Sequence, residues 1–254
     1  AGYLSSTSGT AKVGGIDILE FPYEAKKRIG FLPEQPPLDV DMKVEEGGSV
    51  SLCGWFGFEY NGRTTSLQDL ISDIFACKHI GNYAQSGQGA YTGTLNKNAD
   101  EPYFKYNMYE QIKYAFGFSK EKGFSYDVFL LFGGINDCAA DIPIGHTIFT
   151  SGNHSYIGSF KKSIEYIRSN NPEAKIYLIT SFPVFDNSKA YKSLYKYVDA
   201  NIKLSKYYNL PLFDTYNHNL FTDSNYEPYY LSDKVHPNGE GYRAVSPFII
   251  DLLN

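Results

Sequence analysis

The sequence lacks the features that mark several whole classes of protein. Its 3 cysteines among 254 residues are odd in number and form no C-x-x-C pair. Neither a disulfide framework nor a zinc knuckle is therefore indicated, and Cys53, Cys77 and Cys138 read as buried thiols. Excess positive charge is also missing. With 23 Lys+Arg against 28 Asp+Glu the net charge is -5, which offers no footprint for a phosphate backbone or an anionic membrane, so nucleic acid is not an expected partner. No run approaches the ~20 consecutive apolar residues that a membrane span needs. The opening AGYLSSTSGTAKV has neither the basic start nor the apolar stretch of a signal peptide, so the expectation is a soluble, cytoplasmic chain. Repeats and low-complexity tracts are absent too. What is present is an ordinary globular composition, 43% hydrophobic and 20% charged, with room for one large domain or two small ones. The 23 Tyr and 18 Phe stand out. They can supply core bulk, or rings on which a sugar or acyl chain could lie.

A composition break falls near Glu45-Glu46-Gly47-Gly48, after the proline- and acid-rich LPEQPPLDVDMKVEE. Alternation of Leu38, Val40, Met42 and Val44 suggests a first strand running up to that junction. Beyond it, Thr65 or Ser66 can cap a helix carrying Leu67, Leu70, Ile71, Ile74 and Phe75 on one face, and a short strand fits His79 to Tyr83. The run from Tyr126 to Phe132 is continuously apolar after Asp127 and stops at Gly133-Gly134, as a central parallel strand covered on both faces would. Phe160, Ile164 and Ile167 mark a helix, 175–180 a strand, and Tyr191, Leu194, Tyr195, Val198 and Ile202 a longer helix. A last strand at 211–215 and a C-terminal helix through Tyr242, Val245, Phe248, Ile249 and Leu252 follow, with Pro247 expected to start or kink that helix. Alternating strands and helices predict an α/β fold, three layers with a central parallel sheet.

Ligands of such a sheet bind beyond the carboxyl ends of its strands. Four stretches lie where strands are expected to end. In Gly47-Gly48-Ser49-Val50-Ser51 the glycines permit a sharp turn that could project a hydroxyl, although such a stretch is often a plain turn. Gly81 to Gly89, GNYAQSGQG, exposes backbone N–H groups that can approach a ligand, or is simply a tight turn. In Gly133-Gly134-Ile135-Asn136-Asp137 a side-chain amide can reach over the sheet edge toward an anion, or close the strand as an Asx turn. In LSDKVHPN, Asp233 is spaced to hold one ring nitrogen of His236 while the other takes a proton.

GGSVS, NYAQSGQG, GIND and DKVHPN, in this order, resemble the blocks of the SGNH (GDSL-type) hydrolase superfamily over residues 47 to 254. The resemblance implies an esterase acting on small acyl or acetyl esters, with a small-molecule or carbohydrate ester as substrate and no metal or organic cofactor. It implies Ser49 as nucleophile, His236 as general base and Asp233 as its orienting carboxylate. The oxyanion hole would combine the backbone N–H groups of Ser49 and Gly87 with the Asn136 side chain. The first block departs from the family pattern, with Gly48 where an aspartate belongs, so a poorly aimed hydroxyl and low activity are expected. A second register sets Gly54 on the block's glycine and puts Trp55 and Phe56 where aspartate and serine belong. The Ser49 register is preferred because it keeps a hydroxyl; Ser51, Cys53 and Ser86 are substitutes. A silent protein that binds a glycan or ester in the old cleft is the alternative. Residues 1 to 46, with Ile29-Gly-Phe-Leu-Pro-Glu34, resemble part of an ABC-transporter ATPase but contain no G-x-x-x-x-G-K-[ST] phosphate loop, so they read as a fused remnant without nucleotide hydrolysis.

Overall fold

The computed structural model describes residues 12–13, 16–17, 49–53, 59–60, 63–64, 71, 75, 77–94, 102–146, 148 and 154–253, with side chains from residue 71 onward. The backbone falls into two compact units, Ala1–Asp41 and Met42–Asn254. In the first, β1 (Lys12–Val13) and β2 (Ile16–Asp17) form an antiparallel pair. The strand expected at Leu38 to Val44 lies outside the described residues.

The second unit is built on a five-stranded sheet. Its strands are β3 (Ser49–Cys53), β6 (His79–Asn82), β7 (Val128–Phe132), β8 (Lys175–Ile179) and β9 (Leu212–Phe213), ordered β6-β3-β7-β8-β9. Every pairing is parallel. A small antiparallel pair, β4 (Glu59–Tyr60) with β5 (Arg63–Thr64), stands apart from it.

Parallel strands require crossovers, which here are helices. Among the described residues they are α1 (Met108–Lys122), α3 (Tyr156–Asn170) and α4 (Leu194–Tyr208), with a five-residue α2 (Ile135–Ala139) directly after β7, while α5 (Gly239–Leu253) follows the last strand. Two apolar layers result. All five residues of β7 are buried because the strand is covered on both faces. Phe129 and Leu131 pack with Ile112 of α1, Ile164 of α3 and Leu204 of α4, whereas Val128, Leu130 and Phe132 pack with Tyr242, Val245 and Ile249 of α5 and with Ile71 and Phe75. The alternation of side chains along a strand thus divides one continuous apolar run between two layers. The three-layer α/β/α architecture expected from the sequence is the one observed.

Local signals explain the helix ends. Asn107 caps α1 by accepting the Glu110 N–H at 3.2 Å, and Gly123 closes it in the left-handed region at φ 75. Ser155 caps α3 in the same way through the Gly158 N–H at 3.1 Å. Pro247 neither starts nor ends α5, which runs through it from Gly239. Of the residues expected on the face of α4, Leu194 and Val198 are buried, but Tyr195 is 53% exposed and Tyr197 takes the inward position instead. Tyr191 belongs to the short 3-10 turn before that helix.

Candidate active site

The carboxyl ends of β6, β7 and β8 open onto one cavity of about 100 Å³. Its walls include Gln85 to Gly89 after β6, Phe132 to Asn136 after β7, Phe182 after β8, and Val235, His236 and Pro237 from the loop before α5. Gly87, Asn136 and His236, more than 45 residues apart in sequence at each step, therefore share one space.

The histidine is held by its own loop. Nδ1 of His236 lies 2.7 Å from Oδ2 of Asp233, while Oδ1 of Asp233 accepts the backbone N–H groups of Val235 at 2.9 Å and His236 at 3.0 Å. Desolvation pushes the Asp233 carboxyl up, but the His236 and Val235 backbone N–H groups and the imidazole outweigh it and hold the acid below the usual carboxylate range. The acid is thus a charged acceptor that fixes the orientation of the ring at the cavity wall. Both side chains are nearly half exposed, so their contact contributes little to stability.

The opposite wall is a set of donors on a rigid turn. Gly133 and Gly134 end β7, and Gly134 has φ 125. A Cβ there would sit 3.1 Å from both Ser181 Oγ and Tyr156 Oη, so the position demands glycine for conformation and for space. The Gly133 carbonyl accepts Ser181 Oγ and Asn201 Nδ2, each at 3.2 Å. That anchoring sends the chain into α2 with Asn136 facing the cavity. Asn136 Nδ2 donates to the Gln88 carbonyl at 2.8 Å, and an amide nitrogen has a second hydrogen to give.

Gln88 belongs to the 85–89 turn, which is bound from beneath by Asp137. The carboxylate of Asp137 is wholly buried and accepts Ala90 N–H on both oxygens, at 3.1 and 2.9 Å, and Tyr91 N–H at 2.9 Å. Desolvation drives its pKa up to about 6, against the lowering effect of the Ala90 and Tyr91 N–H groups and its own backbone N–H. Gly89 makes the close approach feasible, since a Cβ would fall 2.6 Å from Asp137 Oδ2. Asn136 thus points into the cavity while its neighbour Asp137 fastens the turn that carries Gly87, where φ is +71 and the backbone faces open space.

Ser49 is placed differently from its expected position. It is the first residue of β3, paired with His79 at the start of β6, rather than a residue following a strand. Four residues of extended chain, roughly 13 Å, separate it from the carboxyl end at Cys53. That end is level with Leu131 near the end of β7, and His79, level with Ser49, stacks on Phe124 just before β7. The backbone of Ser49 therefore starts at the amino edge of the sheet, opposite the cavity, because Ser49 to Cys53 supplies the strand that Leu38 to Val44 was expected to supply. This corrects the expectation that Ser49 follows a strand: it begins one. Ser51 lies mid-strand, level with Gly81 and Phe129. Cys53 ends β3, and Ser86 is exposed and lines the cavity. The five residues after β3 in the sequence, Gly54-Trp55-Phe56-Gly57-Phe58, carry no hydroxyl or thiol; they lie outside the described residues.

Sequence reading missed Met108, Gln111, Phe182 and Tyr242, which also line the cavity. Tyr242 was read only as a helix face. Gln111 had a usable signal, a polar residue within the apolar spacing of Met108, Ile112 and Ala115, but α1 itself went unread. No group of three or more His, Cys, Asp or Glu side chains suited to a metal ion occurs among the described residues. No helix of the described residues is long and apolar enough to cross a membrane.

Comparison with known proteins agrees with this architecture. No curated protein matches the chain. Among solved structures, a protein from Lactobacillus plantarum superimposes with a TM-score of 0.60 at 16% identity, covering 83% of this chain and 97% of its own. The lipase/acylhydrolase from Enterococcus faecalis superimposes with a TM-score of 0.52 at 17% identity, over 80% of this chain and 94% of its own. At such identities the likeness establishes the fold alone. The family profile described as GDSL-like Lipase/Acylhydrolase matches residues 47–244. With that match over most of its length and the matching fold, the chain belongs to the GDSL-like lipase/acylhydrolase family, carboxylic ester hydrolases of the SGNH type.

Proposed function

We propose that the cavity hydrolyses small acyl or acetyl esters by general-base catalysis, with water as the attacking group in place of a serine. The carrying observation is that His236, fixed by Asp233 at 2.7 Å, and the donors Asn136 and Gly87 line the same cavity. In this reading His236 Nε2 takes a proton from a water as its oxygen attacks the ester carbonyl. Asn136 and Gly87 N–H groups receive the oxyanion that forms. Collapse of the tetrahedral adduct breaks the bond to the alcohol oxygen, which takes the proton back from His236. Atoms balance without a cofactor. Ser49 is left out because it begins β3 and the five residues after that strand offer neither hydroxyl nor thiol; Ser86, which lines the cavity, is the serine that a covalent route would use. An oxyanion hole and a bound substrate alone sustain about 10³- to 10⁴-fold acceleration over water, so turnover is expected to be slow.

The test is p-nitrophenyl acetate hydrolysis by the wild type, His236→Ala and Ser49→Ala. Loss of the base should lower the rate by about 10²-fold or more, and Ser49→Ala should match the wild type. A wild-type rate equal to that of His236→Ala would overturn the reading in favour of a second one, a catalytically silent protein that binds an ester or glycan. The hydroxyl-free Gly54–Phe58 stretch is the feature that favours this second reading. For residues 1–46 we propose a remnant related to ABC ATPases that binds no nucleotide. The domain division at 46/47 is part of that proposal, and heat released on titration with ATP would contradict it.

A further inference from the structure

We propose that the outer surface of the layer formed by α1, α3 and α4 docks the protein on an anionic phospholipid surface. This inference goes beyond the esterase reading and does not rest on it.

The net charge of -5 over the whole chain conceals a segregation. The three helices together hold 9 Lys+Arg against 4 Asp+Glu, a net of +5. The rest of the chain holds 14 against 24, a net of -10. Ile112, Ile164 and Leu204 turn the inner sides of the three helices toward one apolar layer, so their charges fall on one outer surface. Local pairing leaves most of the excess free. Glu110 lies 2.9 Å from Lys113, Glu121 3.0 Å from Lys122 and Asp199 3.5 Å from Lys203. Lys120, Lys161, Lys162, Arg168, Lys196 and Lys206 have no carboxylate at ion-pair distance among the described residues. A face of one sign attracts an anionic partner whatever the charge of the whole molecule.

Aromatic rings lie among these cations. Lys162 stands over Tyr109 at 4.0 Å across the seam between α1 and α3. Lys161 over Tyr207 at 5.4 Å and Arg168 over Tyr208 at 5.0 Å cross the seam between α3 and α4. Cations and rings therefore form one continuous surface over three helices. On it Tyr114, Tyr195 and Tyr207 are 65%, 53% and 48% exposed, and Phe118 36%. Exposed amphipathic rings beside ammonium groups match the headgroup region of a bilayer, where rings sit at the interface and lysines meet phosphates. Nucleic acid fits less well, because eight of the nine cations are lysines. The guanidinium fork suited to bidentate phosphate contact occurs only at Arg168, whose Nη2 already donates to the Tyr208 carbonyl at 2.8 Å. None of the nine cations lines the cavity, which opens at the carboxyl ends of the strands, so docking on this layer leaves the cavity open.

The experiment is co-sedimentation of the full chain with vesicles of equal parts phosphatidylglycerol and phosphatidylcholine, beside vesicles of phosphatidylcholine alone. At about 0.1 M salt the protein should pellet with the anionic vesicles only, and at about 0.5 M, where charges are screened more strongly, it should be released. Each lysine near such a surface contributes about fivefold to partitioning, so Lys120→Ala, Lys196→Ala and Lys206→Ala combined should weaken it by about 10- to 100-fold. Melting temperature and ester turnover should not change in that variant, because the three side chains are exposed and lie outside the cavity. Lys78→Ala combined with Arg243→Ala, exposed cations outside the layer, should bind as the wild type does. Equal pelleting with neutral vesicles, no pelleting at either salt concentration, or the same loss in both variants overturns the proposal. Tighter binding of a single-stranded oligodeoxynucleotide than of anionic vesicles also overturns it and assigns the surface to nucleic acid.

Discussion

Asp137 offers a sharp test of how the site is assembled, because its carboxylate is wholly buried beneath the turn that carries Gly87. Its pKa is pushed from 3.8 up to about 6, chiefly by desolvation. The folded state therefore holds its proton more tightly than the unfolded chain does. Stability from this group is fully present below the unfolded pKa and is lost as pH rises through about 6. Each unit is worth about 1.4 kcal/mol, so lowering the pH from 7 to 4 should stabilise the wild type by about 2 to 3 kcal/mol through Asp137 alone. Asp137→Asn removes the ionisation yet keeps an oxygen where Oδ1 accepts Ala90 and Tyr91 N–H. Urea unfolding of both proteins at pH 7, 6, 5 and 4 isolates the effect as the wild-type minus variant difference, in which other carboxylates cancel. That difference should grow toward acid. A difference that stays constant across the series, or moves the opposite way, would refute the claim that burial dominates the three N–H contacts.

Further expectations follow from the same geometry. Asn136→Ala should slow p-nitrophenyl acetate hydrolysis by about 10²-fold, the usual cost of losing one oxyanion donor, and an unchanged rate would remove Asn136 from the site. Gly134→Ala places a methyl group 3.1 Å from Ser181 Oγ and Tyr156 Oη at φ 125, so thermal denaturation should show a loss of about 1 to 3 kcal/mol together with impaired turnover. Ile164→Ala, at a fully buried position in the layer under α3, should cost about 2 to 5 kcal/mol in urea unfolding while the residues lining the cavity keep their places.

The central sheet was legible because β7 and β8 are contiguous apolar runs, and only a strand covered on both faces tolerates such a run. The loops at 133–137 and 231–238 were legible for a related reason. Glycines after a strand and an Asp three residues before His each have a local physical purpose, which the 2.7 Å contact and the Gly134 conformation display. Two elements escaped. Helix α1 has Tyr114 and Phe118 on its solvent side and Gln111 and Ser119 on its buried side, so polarity does not follow the helical period. Strand β3 reads Ser-Val-Ser-Leu-Cys, an alternation that suggests a half-buried strand although β6 and β7 flank it on either side. The glycine pair before it, Gly47-Gly48, resembled a strand-ending turn, and so Ser49 was assigned to the wrong end of a strand. Sequence spacing carries no information on which end of a strand a residue occupies until the strand itself is located.

The proposed general-base mechanism, with water as the attacking group, makes one direct demand. After incubation with a fluorophosphonate that phosphonylates activated serines, the intact mass of the chain should be unchanged while His236-dependent ester hydrolysis continues. A single phosphonyl adduct accompanied by loss of that hydrolysis would contradict water as the attacking group and return a serine to the centre of the mechanism.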